Sequence, residues 1–438
     1  MVMPVVSAHL SAPQFTFWLF ANSIIAIGIL FETSVSVVFT RTLTAYIERR
    51  SLANVAEVKE ANDRIAGFIC TSSILYIVVG IIGGFVSYIA GIQSIEGLIE
   101  IGLDISEAHN AMLALSFIAC SSILLSFGRS VLIANQQMRT QRIIMLLTTV
   151  SKLLISIAIF STLPRVDVAM AAVGILNTVE TVMVTVLSWS VQRLAVRSRP
   201  NLKFMDEFAV PFVKTFLIRI GGYLSMYSSS IIIVRYTPAV ADAFLLSLRL
   251  VQAAGSVSLI PVSISLPALT RLRARIIANK RSFSTFVEAA LGIIVFGMIC
   301  MILMLLGLIL LGPKLLELTT NGKTLLQTGA LAYMCLIFLL ESHHIAHAMV
   351  YETQNRVPFL GISIVSGIAI LIFSMILVPH FGVWGALIAL NLVQLSANNW
   401  VPVWLNLRQW GLSWANYFRI FARMGLMSYK SKLLDPDA

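Results

Sequence analysis

The sequence predicts an all-α, polytopic membrane protein built as two pseudo-symmetric lobes, and three observations lead there. Only 12% of the 438 residues are charged and mean hydropathy is +0.90, above what a water-facing surface tolerates. Apolar stretches of roughly 20 to 28 residues recur about eleven times, each long enough to cross a hydrocarbon core. The connectors between them alternate in basic content, as the positive-inside rule requires of an inner-membrane protein.

The expected spans follow in order. Span 16–39 closes on Arg41, Arg49, Arg50, Lys59 and Arg64, and 66–90 on the connector 91–109, which holds Glu96, Glu100, Asp104 and Glu107 but no Lys or Arg. Span 110–134 closes on Arg139 and Arg142, 143–163 on Arg165 alone, and 168–189 on Arg193, Arg197, Arg199 and Lys203. Span 211–235 ends at Arg235, 240–268 leads to Arg271, Arg273, Arg275, Lys280 and Arg281, and 287–311 to Lys314 and Lys323. Span 325–349 precedes Arg356; 357–379 and 383–406 then lead to a tail with Arg408, Arg419, Arg423, Lys430 and Lys432. The strongly basic connectors belong in the cytoplasm. The C-terminus is therefore expected inside and, eleven being odd, the N-terminus in the periplasm.

The net charge of +11 is thus a topology signal. No segment is long enough to form a soluble basic face for nucleic acid. The first fourteen residues lack the basic n-region of a signal peptide. Cys70, Cys120, Cys300 and Cys335 all fall inside spans, as packing residues rather than a disulfide framework. In E-S-H-H-I-A-H, His343 and His347 share a helix face, and Glu341 and His344 stand beside them; a polar wall near the cytoplasmic side is expected there rather than a metal, which needs further ligands.

Segment 10–50 is similar in pattern to 236–275: each opens on a turn with proline (Pro13, Pro238), runs through an apolar span and closes on a basic end. That points to two lobes of parallel orientation around a substrate path. Taken in order, F-E-T-S-V-S-V-V-F-T-R (31–41), Y-T-P-A-V-A-D-A-F-L-L-S-L-R-L (236–250) and V-P-H-F-G-V-W-G-A-L (378–387) resemble the Wzx-type polysaccharide (O-antigen repeat-unit) flippases of the multidrug/oligosaccharidyl-lipid/polysaccharide (MOP) exporter superfamily. The resemblance covers nearly the whole chain. It implies a twelve-helix bundle whose first helix is absent here, since 16–39 matches the second family helix. The N-terminal lobe would be 1–200 with about five helices, the C-terminal lobe 201–406 with about six, and 407–438 a cytoplasmic tail whose aromatic and arginine residues suit the membrane surface.

The resemblance further implies flipping of a polyprenyl-diphosphate-linked oligosaccharide, for lipopolysaccharide or exopolysaccharide synthesis, by alternating access. No cofactor and no covalent chemistry are implied. Expected partners are that lipid-linked oligosaccharide, membrane lipids, and polysaccharide polymerase and assembly proteins.

Charges inside the membrane are functional candidates by default, because each is costly unless paired or wetted. At about 1.5 Å per residue, Lys152, Arg219, Arg249 and Glu341 lie roughly 12–13 Å inside their span ends, with Glu180 near mid-helix and Arg129 and Lys214 nearer the cytoplasm. Arg249, Arg219, Lys152, Arg129 and Lys214 are candidate ligands for an anionic headgroup, since guanidinium and ammonium groups match phosphate oxygens. Arg249 also resembles a basic position common in these flippases. Glu180, Glu341 and His344 are candidates for ion coupling. The plainer alternative is that the same residues form buried structural ion pairs. Other functions stay open: a cationic-drug exporter of the same superfamily, a membrane glycosyltransferase or ligase, and a non-functional truncated flippase. The enzyme reading lacks a soluble domain or outer loop gathering acid–base residues.

Overall fold

The computed structural model describes residues 6, 8–52, 57–193, 198–201, 203–277, 283–320, 322–353 and 359–426. Arg197, Lys280, Arg281, Arg356, Lys430 and Lys432 lie outside them. Among the described residues every regular element is helical, and ten helices are long and apolar enough to cross a membrane. The protein is an all-α, multi-pass membrane protein. It divides into two compact units, Met1–Asp242 and Ala243–Ala438, a division by packing at 242/243, against the lobe boundary at 200/201 drawn from the sequence.

Unit 1 holds α1 (Ala12–Leu52), α2 (Val58–Ile92), a short α3 (Glu96–Glu100), α4 (Ile105–Ala134), α5 (Met138–Thr162), α6 (Val166–Leu187) and α7 (Lys203–Tyr236). Asp104 caps α4 by accepting the Glu107 amide at 2.8 Å, and the Ser106 hydroxyl together with that amide holds its carboxyl below the usual aspartate range. Buried Glu107 then joins three helix starts. Its carboxylate accepts the Val166 amide of α6 at 2.7 Å and the Gln14 side chain of α1 at 2.8 Å. The core is aromatic: Phe39 stacks on Phe68 at 5.4 Å between ring centres and meets Tyr76 edge-on at 5.6 Å. Helix α7 rests on α1 through Phe216 against Phe31 and through the Tyr223 hydroxyl, which donates to the Ser23 carbonyl at 3.2 Å.

Unit 2 contains α8 (Ala241–Ser258) from its third residue on, then α9 (Ile260–Ile277), α10 (Phe283–Thr319), α11 (Thr328–Glu352), α12 (Leu360–Phe381), α13 (Val383–Val393), α14 (Trp400–Trp410) and α15 (Trp414–Leu426). Two expected spans are interrupted. The stretch 240–268 breaks at Leu259, just before Pro261, which has no amide hydrogen to give the preceding helix but is tolerated in the first turn of the next; its counterpart in the repeat, α1, runs unbroken. The stretch 383–406 consists of α13, a π turn over Gln394–Asn398 and α14. There the Asn399 amide reaches back five residues to the Gln394 carbonyl at 3.2 Å. The ten candidate spans include the first of these stretches as Pro238–Thr270 and leave out the second, where the eleventh was expected.

The α12–α13 corner depends on two glycines. Gly382 adopts φ +55° and ψ −130°, a region other residues enter only with strain. A Cβ at Gly385 would overlap the Leu377 carbonyl and the Val378 nitrogen, both backbone atoms. Gly385→Ala is therefore expected to cost about 1–3 kcal/mol through forced backbone displacement. Thermal unfolding in detergent checks this, and an unchanged midpoint would mean the corner opens freely.

Gly411 (φ +65°) ends α14 in the left-handed conformation. The chain then enters α15, which packs on α10. Tyr417 of α15 is buried, while Trp414 and Phe418 are exposed, the amphipathic arrangement of a helix at a membrane surface.

Candidate functional site

In unit 1 the apolar character of α6 buries Glu180 completely, and a carboxylate so placed must be paired. The structure supplies two cations from two other helices. Arg129 of α4 donates from Nε to Glu180 Oε1 at 3.1 Å and also from Nη2, and Lys152 of α5 donates to Oε2 at 3.0 Å. Arg129 Nη1 lies 3.9 Å from Glu32 of α1. Two acids and two bases from four helices therefore form one network. Arg129, Lys152 and Glu32 each keep about a fifth of their side chains exposed. One turn before Glu180, Asn177 donates to the Ser122 hydroxyl at 3.1 Å.

Lys214 and Arg219, also of unit 1, are exposed on α7. Arg219 shares its open helix face with Thr215 and Gly222.

In unit 2, Arg249 of α8 is half-buried and donates from Nη1 to the Gln252 amide oxygen at 3.0 Å. A second polar group gathers where α11 meets the π turn. Glu341 accepts from Gln394 Nε2, whose amide oxygen accepts from Asn398 at 2.8 Å. His344 Nδ1 stands 3.5 Å from Glu341 Oε2 and 3.1 Å from Asn399 Oδ1. Lower on α11, His343 and His347 both turn their Nε2 atoms to the Tyr417 hydroxyl, at 2.6 and 3.0 Å. Asn406 holds His347 from the other side, at 3.2 Å to Nδ1 and 2.7 Å to its carbonyl. The pair spaced for a shared ligand is thus engaged by a phenol. Among the described residues no three His, Cys, Asp or Glu side chains converge as metal ligands.

Of the eight residues singled out from the sequence, Arg129, Lys152 and Glu180 meet in one network and Glu341 and His344 in another. Lys214, Arg219 and Arg249 stand apart from both. Sequence reasoning missed Glu32, although it lies within the 31–41 motif and the depth argument applied to the other charges would have marked it. It also missed Gln394, Asn398 and Asn399, whose clustering of amides inside an apolar span was the available signal.

No protein-family model matches the chain, and no curated protein matches it. Solved structures do. The chain is similar to an inward-facing multidrug-resistance MATE-family transporter of the MOP superfamily, with TM-score 0.72 and 14% identity over 97% of this chain and 94% of that one. It is similar to the lipid II flippase MurJ in an inward closed conformation, with TM-score 0.58 and 13% identity over 97% and 92%. A MOP-superfamily transporter of reversed binding-pocket polarity from Pyrococcus furiosus matches with TM-score 0.52 and 13% identity over 93% and 98%. At such identities the likeness is one of fold. Aligned over almost its full length with a multidrug-resistance MATE-family transporter and with the lipid II flippase MurJ, the chain has the fold of the MOP-superfamily transporters.

Proposed function

We propose that the protein is a transporter that moves an oligosaccharide linked to polyprenyl diphosphate from the inner to the outer leaflet of the cytoplasmic membrane, by alternating access and without covalent chemistry. The observation that carries the substrate class is Arg219. It is exposed on α7, about 16 Å along an apolar span that starts at Phe208. A guanidinium facing hydrocarbon at that depth costs several kcal/mol, so its helix face lines water or a polar substrate. Its fork of donors matches the oxygens of a diphosphate. Arg249 is the second proposed ligand, and Lys214 would meet the headgroup nearer the cytoplasmic end. Arg129 and Lys152 would reach an anion only by exchanging with Glu180. Polysaccharide polymerase and assembly proteins are the proposed partners, and the basic connectors support a cytoplasmic C-terminus.

A cationic-drug exporter is the second reading, favoured by the MATE-family fold likeness and by the carboxylates Glu32 and Glu180. One experiment separates the two. The chain is expressed in cells lacking their own polysaccharide flippase, and surface glycan and ethidium efflux are scored together. Restored glycan with unchanged efflux is expected, and Arg249→Ala at normal abundance should lose the restoration. Efflux without glycan would move the assignment to drug export.

A further inference from the structure

We propose that α15 is a binding surface for the headgroups of anionic phospholipids in the cytoplasmic leaflet, and that Tyr417 passes the lipid-bound state of this helix to α11. The proposal goes beyond the transporter reading and does not depend on what is carried.

The side chains of α15 divide into three faces. Tyr417, Ile420 and Phe421 turn inward, against the core of unit 2 that Phe286, Leu291 and Val403 help to form. Trp414 and Phe418, one turn apart and stacked at 6.2 Å between ring centres, are exposed, and Trp414 meets Trp400 edge-on at 6.1 Å. Arg419 and Arg423, again one turn apart, are exposed on the remaining side. An aromatic edge suited to headgroup level, beside a basic edge suited to water, is the build of a helix lying in the plane of a bilayer.

The charges decide which lipid. No Asp or Glu occurs between Glu352 and Asp435, and neither Arg419 nor Arg423 forms an ion pair among the described residues. Exposed Arg408, in the last turn of α14, adds a third guanidinium, 5.6 Å over the ring of exposed Trp404. The positive-inside rule accounts for basic residues on this side of the membrane, and the helix dipole accounts for Arg423 near a C-terminus. Neither accounts for arginines without a counter-charge set beside Trp414 and Phe418 on a docked helix. Guanidinium groups so placed match lipid phosphate oxygens, and a negatively charged leaflet raises occupancy by about fivefold for each arginine.

The link to α11 follows from the direction of the hydrogen bonds. Asn406 donates to the His347 carbonyl, which only accepts, and to His347 Nδ1. The lone pair of that ring is therefore on Nδ1 and its hydrogen on Nε2, which donates to the Tyr417 oxygen at 3.0 Å. The Tyr417 hydrogen goes on to His343 Nε2 at 2.6 Å. This chain uses the one hydroxyl that α15 possesses. Apolar packing alone would let the helix slide, whereas the chain fixes it against two successive turns of α11, and lifting α15 would strand buried imidazoles. A lipid that holds α15 down thus holds α11 at His343 and His347.

The test is backbone hydrogen–deuterium exchange of the full chain, at one pH, in nanodiscs of phosphatidylcholine alone and with about 30% phosphatidylglycerol. Residues 412–426 are expected to exchange about twentyfold slower with the anionic lipid, roughly fivefold for each of Arg419 and Arg423, and residues 343–352 to slow in the same direction. Salt at roughly 0.5 M should remove most of the difference, and Arg419→Gln combined with Arg423→Gln, both exposed positions, should abolish it. Tyr417→Phe should keep the lipid response of 412–426 and lose that of 343–352. A lipid response of 412–426 that survives the double arginine variant overturns the proposal, as does a response of 343–352 that survives Tyr417→Phe. Equal exchange in the two bilayers also overturns it and would leave the basic face to an acidic protein partner.

Discussion

Glu180→Ala is expected to be among the most damaging single changes in unit 1, lowering its unfolding free energy by about 3–5 kcal/mol. The carboxylate is fully buried and holds both Arg129 and Lys152. Removing it leaves two neighbouring cations with only the more distant Glu32, 3.9 Å from Arg129, as counter-ion. The cations' own partial exposure, 21% and 20%, puts the loss toward the lower end of that range. Glu180→Gln should be milder, because an amide oxygen still accepts from one of the two. If burial of unpaired charge is the cause, Arg129→Met and Lys152→Met added to Glu180→Leu should recover most of the stability, since well-packed apolar replacements of buried ion groups are often neutral. Thermal unfolding of the detergent-solubilised series decides this. A triple variant as unstable as Glu180→Ala would locate the network's value in the ion pairs themselves.

Arg219→Ala should cut substrate flipping by roughly ten- to hundredfold, which corresponds to losing one charge-assisted hydrogen bond of about 1.5–3 kcal/mol. Because the side chain is exposed, its loss should leave thermal stability and abundance near wild type. Arg219→Lys keeps the charge but not the fork of donors and should fall between the two. Arg219→Glu should be worse than alanine through repulsion of phosphate. Quantified surface glycan in the complementation strain, normalised to protein abundance, gives the ratios. Equal display by all four proteins would remove Arg219 from the substrate path.

Legibility from sequence followed the range of the physics. Hydropathy is a property of each segment alone, and it located every long helix because a bilayer demands satisfied backbone hydrogen bonds over a fixed thickness. It did not foresee the π turn, whose cause lies on another helix: Gln394 and Asn399 are drawn to Glu341 and His344, fifty or more residues away in the chain. Depth arguments marked Glu180 and Lys152 as buried charges but could not show that they face each other. That depends on the rotation of α5 about its axis, and rotation is set by packing. His343 and His347 were legible as a pair on one face; their partner was not, because Tyr417 arrives only after the chain turns back at Gly411. Helix α7 illustrates the same limit, since its place beside α1 comes from Phe31, Phe216 and the Tyr223 hydroxyl and not from any local signal.

Glu107 carries one more consequence. By receiving hydrogen bonds from the first turn of α1 and from the first residue of α6 while itself belonging to the first turn of α4, it pins three rods together at one end, as the rivet of a pair of tongs does. Those three helices cannot part at that end without stranding a buried carboxylate. Whatever widening unit 1 undergoes must therefore open from the opposite end, toward the basic connectors, with the rivet as its fulcrum.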